Sequence, residues 1–211
     1  MRVKELSSRS GVSVPTIKYY LREGLLPPGE LTSPNQASYD DAHVRRLRLI
    51  RALVDIGGLT ITAVRQVLSA ADTPDETVPR IFYAAQESIS ADPALPHDED
   101  WDFAEAQVAE LVERRGWQVK PDSRAWQTVV AVLVSARQLG HGVWTGTLDA
   151  YAEACERIAA ADLGYIQGIE EMDAMLEGVV VGTALGDTLV TALRRLAHQA
   201  ESTRILGAAE N

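Results

Sequence analysis

Thr16, Lys18, Tyr19 and Arg22 fall within seven residues of one another near the start of a 211-residue chain. On a helix, Lys18 and Arg22 stand four apart and share one face, with Thr16 and Tyr19 on the turns beside them. A hydroxyl, an ammonium, a phenol and a guanidinium in this array can donate hydrogen bonds to phosphate oxygens and to the edges of bases. Such chemistry suits binding a polyanion. Tyr19 and Tyr20 project about 100° apart, so one of the pair faces a core and the other faces outward.

The elements around these residues fit that use. Ser13 is a good N-cap, and Pro15 sits in the first turn, where its missing N–H costs nothing. The helix runs from about Pro15 to Glu23 and stops at Gly24. A first helix over residues 3–12 ends at Gly11, and two short helices joined by such a turn form a helix-turn-helix, whose second helix enters a DNA major groove. Pro27, Pro28, Gly29, Pro34 and Asn35 break helix, and residues 31–39 are compatible with a small hairpin. Asp40 or Asp41 caps a third helix, with Val44, Leu47, Ile50 and Leu53 inward and Arg45, Arg46, Arg48 and Arg51 on the other side. Gly57 and Gly58 end it. Thr60 caps a fourth, and the N–H groups behind that cap can hold a phosphate. Arg45 and Arg46, near the hairpin, are better phosphate candidates than Arg51. The alternative use of the arginines is a solvated face.

Charge is distributed accordingly. Residues 1–72 carry ten Lys/Arg against seven Asp/Glu, a balance of +3. Residues 73–211 carry ten against twenty-three, a balance of −13, which together give the chain's −10. A basic N-terminal unit on an acidic remainder fits a DNA-reading domain whose other half stays off the phosphates. No segment has the run of about 18 uncharged apolar residues that a membrane span needs, and no signal peptide is legible, so a cytoplasmic location is expected. The single cysteine, Cys155, excludes an internal disulfide framework. His43, His97, His141 and His198 show no paired ligand spacing, and metal sensing through a cysteine cluster is set aside. No catalytic residues, metal ligands or cofactors are expected. The chain does not read as an enzyme.

The run Thr16-Ile17-Lys18-Tyr19-Tyr20, followed by Arg22-Glu23-Gly24-Leu25-Leu26-Pro27-Pro28, resembles the recognition helix and following turn of the MerR family of transcription regulators. The likeness continues through Tyr39-Asp40-Asp41, Val44-Arg45-Arg46-Leu47-Arg48-Leu49-Ile50 and Gly57-Gly58-Leu59-Thr60-Ile61, over about the first third of the chain. The resemblance implies a winged helix-turn-helix over residues 1–72, with the hairpin as the wing beside the DNA backbone. It implies double-stranded DNA with an inverted-repeat operator as partner, a homodimer, and RNA polymerase at the promoter. It places Thr16, Lys18 and Tyr19 at the DNA surface, and with the residues read from the elements themselves the candidate DNA-binding set is Ser13, Thr16, Lys18, Tyr19, Arg22, Gln36, Tyr39, Arg45, Arg46 and Thr60. Three positions depart from the family pattern. Lys18 stands where arginine is usual, Leu21 replaces a frequent glutamate, and the wing lacks the arginine often found before its tyrosine.

The rest of the chain does not resemble the metal-sensing members. Residues 73–97 read as a linker helix and loop with a possible role in dimerisation, its stripe being Ile81, Phe82, Ala85 and Ile89. Residues 98–211 read as an all-helical bundle, with helices near 101–115, 122–140, 145–167 and 170–206, the last broken. The overall expectation is a mainly α fold. All four tryptophans lie in this half, and Trp126, Trp144, Tyr151, Tyr165 and Asp187 are the candidate contacts for an organic small-molecule effector. The competing use of this half is a ligand-independent module for protein interaction or oligomerisation. A ligand pocket predicts an enclosed apolar cavity near Trp126 or Trp144, and an interaction module predicts a filled core with an exposed apolar patch.

Overall fold

The computed structural model describes residues 1–33, 36–73, 83, 86–87, 97–121, 123–169 and 172–206. Most of the 73–97 linker, including its expected apolar stripe, lies outside the described residues. The chain divides into two compact units, residues 1–85 with 176–211, and residues 86–175.

In the first unit, α1 (Val3–Ser10) and α2 (Val14–Arg22) are followed by β1 (Glu30–Ser33) and β2 (Gln36–Ser38), then by α3 (Asp41–Arg51) and α4 (Ile61–Ala71). A five-residue π-helical turn, Ala52–Ile56, prolongs α3 as far as Gly57. Local chemistry accounts for the boundaries. The Thr16 N–H donates to Ser13 Oγ at 3.2 Å, the His43 N–H to Asp40 Oδ1 at 3.1 Å, and the Ala63 N–H to Thr60 Oγ1 at 3.2 Å. Each cap satisfies a donor that the first helical turn would otherwise leave bare. Between the capping options Asp40 and Asp41, the structure uses Asp40. Leu6, Ile17, Leu25, Leu47, Ile50, Leu53 and Val64 are fully enclosed and form the core on which α1 to α4 converge.

β1 and β2 pair antiparallel, Glu30 opposite Ser38 and Leu31 opposite Ala37, with an irregularity between Leu31 and Ser33. Gly29 permits the hairpin to fold back this tightly, since a Cβ there would stand 2.6 Å from the Ser38 carbonyl oxygen and 2.9 Å from the Tyr39 ring. Gly29→Ala is therefore expected to displace the hairpin and to cost about 1–3 kcal/mol, read as a lowered denaturation midpoint. An unchanged midpoint would mean that the hairpin yields without strain.

The second unit holds α5 (Glu99–Arg115), α6 (Arg124–Gln138), a 3₁₀ segment (Gly142–Thr147) and α7 (Leu148–Gln167). Trp101, Ala104 and Val108 of α5 pack with Trp126, Val130, Leu133 and Val134 of α6. Arg115 reaches Asp149 at 3.0 Å, and the Trp117 Nε1–H donates to Glu156 Oε1 at 2.9 Å, tying the end of α5 to α7. Cys155 is exposed, so it does not lie on a buried stripe of α7 as its neighbours suggest. The buried positions of α7 are Ala152 and Ile166.

α8 (Met172–Leu206) is one continuous helix of 35 residues, where the sequence suggested a break. Glycines 182 and 186 cost helix propensity without interrupting it. Val180 and Ala184 of α8 are buried in the core of the first unit, and Thr188 Oγ1 donates to the Ile56 carbonyl at 3.3 Å. The expected contiguous region 98–211 is thus divided. From Leu176 onward the chain belongs to the first compact unit, because the apolar residues at the start of α8 complete that unit's core. Among the described residues no helix is long and apolar enough to cross a membrane.

Candidate nucleic-acid interface

The alternation of buried and exposed positions along α2 decides which of its side chains are available. Ile17 and Tyr20 are buried, Thr16 and Tyr19 are half-buried, and Lys18 and Arg22 are exposed. Tyr20 is therefore the core member of the tyrosine pair, as the 100° separation requires. Its ring lies 5.8 Å from that of Tyr19. Arg22 extends over the Tyr19 ring at 5.3 Å and makes only a long 3.8 Å pair with Glu23. Stacking of this kind restrains a long side chain without neutralising it. Among the described residues Lys18 has no ion-pair partner. The outer face of α2 thus presents an ammonium, a guanidinium and a phenol edge together.

Ser13 serves first as the cap, and its Oγ also lies 2.7 Å from Thr16 Oγ1. Thr60 is likewise occupied as a cap of α4. Gln36 is exposed on β2, while Tyr39 is half-buried, packs on the core and meets the His43 ring edge-on at 5.2 Å. The Arg2 guanidinium donates to Thr32 Oγ1 at 3.3 Å and so fastens the hairpin to α1.

The four arginines of α3 separate into two groups. Arg46 is only 16% exposed. Its Nε–H donates to the Leu25 carbonyl at 3.0 Å, and its two terminal nitrogens clamp the Asp72 carboxylate. Arg48 donates to the Arg9 carbonyl at 3.1 Å, and Arg51 pairs with Asp55 at 3.0 Å. Arg45 is exposed and, among the described residues, has no ion-pair partner. Arg46 therefore holds the loop after α2 to the end of α4. A second such tie was missed from the sequence: Arg65 of α4 donates to the Glu23 carbonyl at 3.0 Å and to its carboxylate at 2.6 Å. Only the fold could have shown it, because the two residues are 42 positions apart.

Burial, aided by the nearby Asp55 carboxylate and opposed by Arg51, pushes the Tyr20 phenol above its ordinary pKa. The folded state thus keeps the proton longer than the unfolded chain does. Stability from this source is intact below about pH 10, the unfolded phenol's value, and is lost as pH rises beyond it. Urea unfolding in this alkaline range should show a steeper loss for the wild-type protein than for Tyr20→Phe. Equal slopes would contradict the assignment.

The second unit carries a cavity of about 970 Å³ between α6 and the 3₁₀ segment. Val132, Ala136, Leu139, Val143 and Trp144 supply most of its apolar wall. Of the aromatic candidates only Trp144 lines it, with Tyr151 edge-on to that ring at 6.4 Å. Trp126 is packed in the core, Tyr165 is exposed on α7, and Asp187 is exposed on α8 in the other compact unit. The five do not form one site. The cavity is open to solvent, with Leu139 75% and Val143 88% exposed at its rim. Apolar residues flanking Gly140 and Gly142 were the available sequence pointer to it.

Comparison with known proteins places these features. Residues 1–71 match the MerR HTH family regulatory protein family. The mercuric resistance operon regulatory protein of Bacillus cereus is 34% identical over 82 residues, which are 39% of this chain and 61% of that protein. The HTH-type transcriptional regulator ZntR homolog of Haemophilus influenzae is 40% identical over 50 residues, 24% of this chain and 37% of that one. The chain thus spans less than two thirds of the length of these curated relatives. A crystal structure of a protein classed as a transcriptional regulator, SCO5550 from Streptomyces coelicolor A3(2), is similar over 98% of both chains, at 33% identity and a TM-score of 0.74.

Proposed function

Residues 1–71 match the MerR HTH family, and on that premise we propose that the chain is a homodimeric, sequence-specific transcription regulator of that family acting on an inverted-repeat operator in double-stranded DNA. The observation that carries this reading is the outer face of α2. There Lys18 is unpaired among the described residues, and Arg22 is held over Tyr19. Thr16, Lys18, Tyr19 and Arg22 meet the groove, Gln36 and Tyr39 approach the flanking backbone, and Arg45 reaches a phosphate from α3. Ser13 and Thr60 act through the helix starts they cap. Arg46 acts through the loop it holds. Two-fold symmetry of the protein is matched by the operator. Distortion of promoter DNA toward a geometry that RNA polymerase accepts is the mode of action this family membership favours.

The second half of the proposal is an organic effector bound in the cavity beside Trp144. The lining hydroxyls narrow its chemistry. Thr128 Oγ1, Ser135 Oγ and Thr147 Oγ1 donate to the carbonyls of Arg124, Ala131 and Trp144 at 2.7, 2.8 and 2.7 Å. The Ser135 and Thr147 protons are engaged, so these two hydroxyls offer acceptors to a ligand. An apolar molecule bearing one or two N–H or O–H donors suits such a wall. A metal effector has only one cysteine available in the whole chain.

The cavity is tested with N-phenyl-1-naphthylamine, an apolar probe with a single N–H. Saturable binding that quenches tryptophan emission is expected, and Val132→Trp should weaken it at least about tenfold by filling space while leaving helicity unchanged. Absence of saturable binding would favour the alternative in which this half is an interaction module without a small molecule. The exposed Leu139 and Val143 are the feature that alternative would use.

A further inference from the structure

The turn between α1 and α2 is held from α3 as well as from within. Gly11 adopts φ +72° there, and its carbonyl is one that a helix end leaves without an intrahelical donor. It accepts from the Arg51 guanidinium at 3.4 Å. Arg51 is held in turn by Asp55, to whose carboxylate its Nε–H donates at 3.0 Å. Asp55 lies in the π-helical turn Ala52–Ile56, which closes with the Gly57 N–H on the Ala52 carbonyl at 3.0 Å. Single π turns are rare in helices and frequently stand at functional sites. The far end of this one is where α8 is fastened. Thr188 Oγ1 donates to the Ile56 carbonyl at 3.3 Å, and Val180 and Ala184, two turns and one turn earlier on α8, are buried in the core. Tyr20 of α2 completes the cluster, its phenol lying within electrostatic reach of both Asp55 and Arg51. All of these residues belong to one compact unit.

We propose that Arg51 and Asp55 are positioning residues for the DNA-reading helix, setting α2 according to how α8 is docked on the π-helical turn. The proposal rests on the DNA-binding reading above and adds a route by which the C-terminal helix reaches α2. The pair contributes little to folding, since both side chains are half-exposed and four residues apart on the surface. Its value is directional. A guanidinium pinned by a carboxylate keeps its remaining N–H groups aimed one way, here at Gly11, two residues before the Ser13 cap of α2. Arg48 makes the neighbouring tie, to the Arg9 carbonyl at 3.1 Å, but among the described residues it has no ion-pair partner. The hold of Arg51 therefore depends on the π-helical turn, and through that turn on α8. The hold of Arg48 does not.

The test is made on the full chain, first without DNA. Amide hydrogen exchange is followed at Gly11, Thr16 and Ile17, whose N–H groups donate within the α1–α2 turn and the first turn of α2. Asp55→Asn and Thr188→Val, each alone, should speed exchange there by about threefold or more with the denaturation midpoint unchanged. The double variant should do no more than the stronger single one, because both act through one turn. Asp55→Glu, which keeps the carboxylate, should restore slow exchange. On its own upstream DNA, Arg51→Gln should lower the preference over a scrambled duplex by about threefold or more. Its salt slope should stay at the wild-type value, since no phosphate contact is lost. Unchanged exchange in both single variants overturns the proposal, as do additive effects in the double variant. A flattened salt slope in Arg51→Gln also overturns it, by making Arg51 a phosphate contact. A protein whose exchange behaves as expected but which does not select its upstream DNA supports the positioning of α2 and counts only against the DNA-binding reading.

Discussion

Replacing both Lys18 and Arg22 by alanine is expected to lower operator affinity by roughly 10²-fold or more and to flatten its dependence on salt. Both side chains are exposed and stand on one face of α2; among the described residues Lys18 has no ion-pair partner and Arg22 has only the 3.8 Å contact with Glu23. Each phosphate contact releases counterions on binding, contributing a slope of about 0.9 in log affinity against log salt, so the double variant should lose roughly two units of slope per DNA-reading head. Lys18→Ala alone should weaken specific and non-specific DNA alike. The fold should survive these changes, since Ile17 and Tyr20 carry the core contacts of α2. Folding stability measured beside affinity separates the two effects. A steep slope retained in the double variant would move the phosphate contacts off α2.

Arg46→Ala should behave in the opposite way. Its guanidinium is largely enclosed and binds both the Leu25 carbonyl and the Asp72 carboxylate. Removing it strands those acceptors and frees the loop after α2 from the end of α4. A fully buried pair broken in this way costs about 3–5 kcal/mol. Asp72 is more than half exposed, so solvent recovers part of that, and about 1–3 kcal/mol is expected. Denaturant unfolding should show this loss, with DNA affinity falling only as far as the folded fraction does. Arg45→Ala is the counterpart, leaving stability unchanged and reducing the salt slope by about 0.9 per head. If Arg46→Ala instead flattened the slope without loss of stability, the assignments of the two neighbours would have to be exchanged.

The contrast between Arg45 and Arg46 shows where the sequence stops being legible. Helix starts are local events, and Ser13 and Thr60 could be read as caps because the partner N–H lies three residues away. The division of Tyr19 from Tyr20 followed from helical geometry alone. The four arginines of α3 present the same residue type on one helix, and what separates them is a carbonyl 21 residues back and a carboxylate 26 residues ahead. No pattern along the chain encodes that. The effector candidates show a similar limit. Tryptophan marks both cores and binding walls, and Trp126 went to the first and Trp144 to the second. Apolar periodicity in α8 was visible, but it serves two purposes along one helix, burying Val179 and Val180 and leaving Leu193 and Leu196 exposed. Periodicity identifies an apolar face without saying which molecule covers it.

The most direct measurement is fluorescence anisotropy of the full chain on its own upstream DNA, and on a scrambled duplex of equal composition, over a salt series. The account predicts a dissociation constant on the order of 10⁻⁸ M or tighter at physiological salt for the upstream duplex. Binding to the scrambled duplex should be at least about 10³-fold weaker, and the slope should be steep and depend on Lys18 and Arg22. Equal affinity for both duplexes at every salt concentration would contradict it.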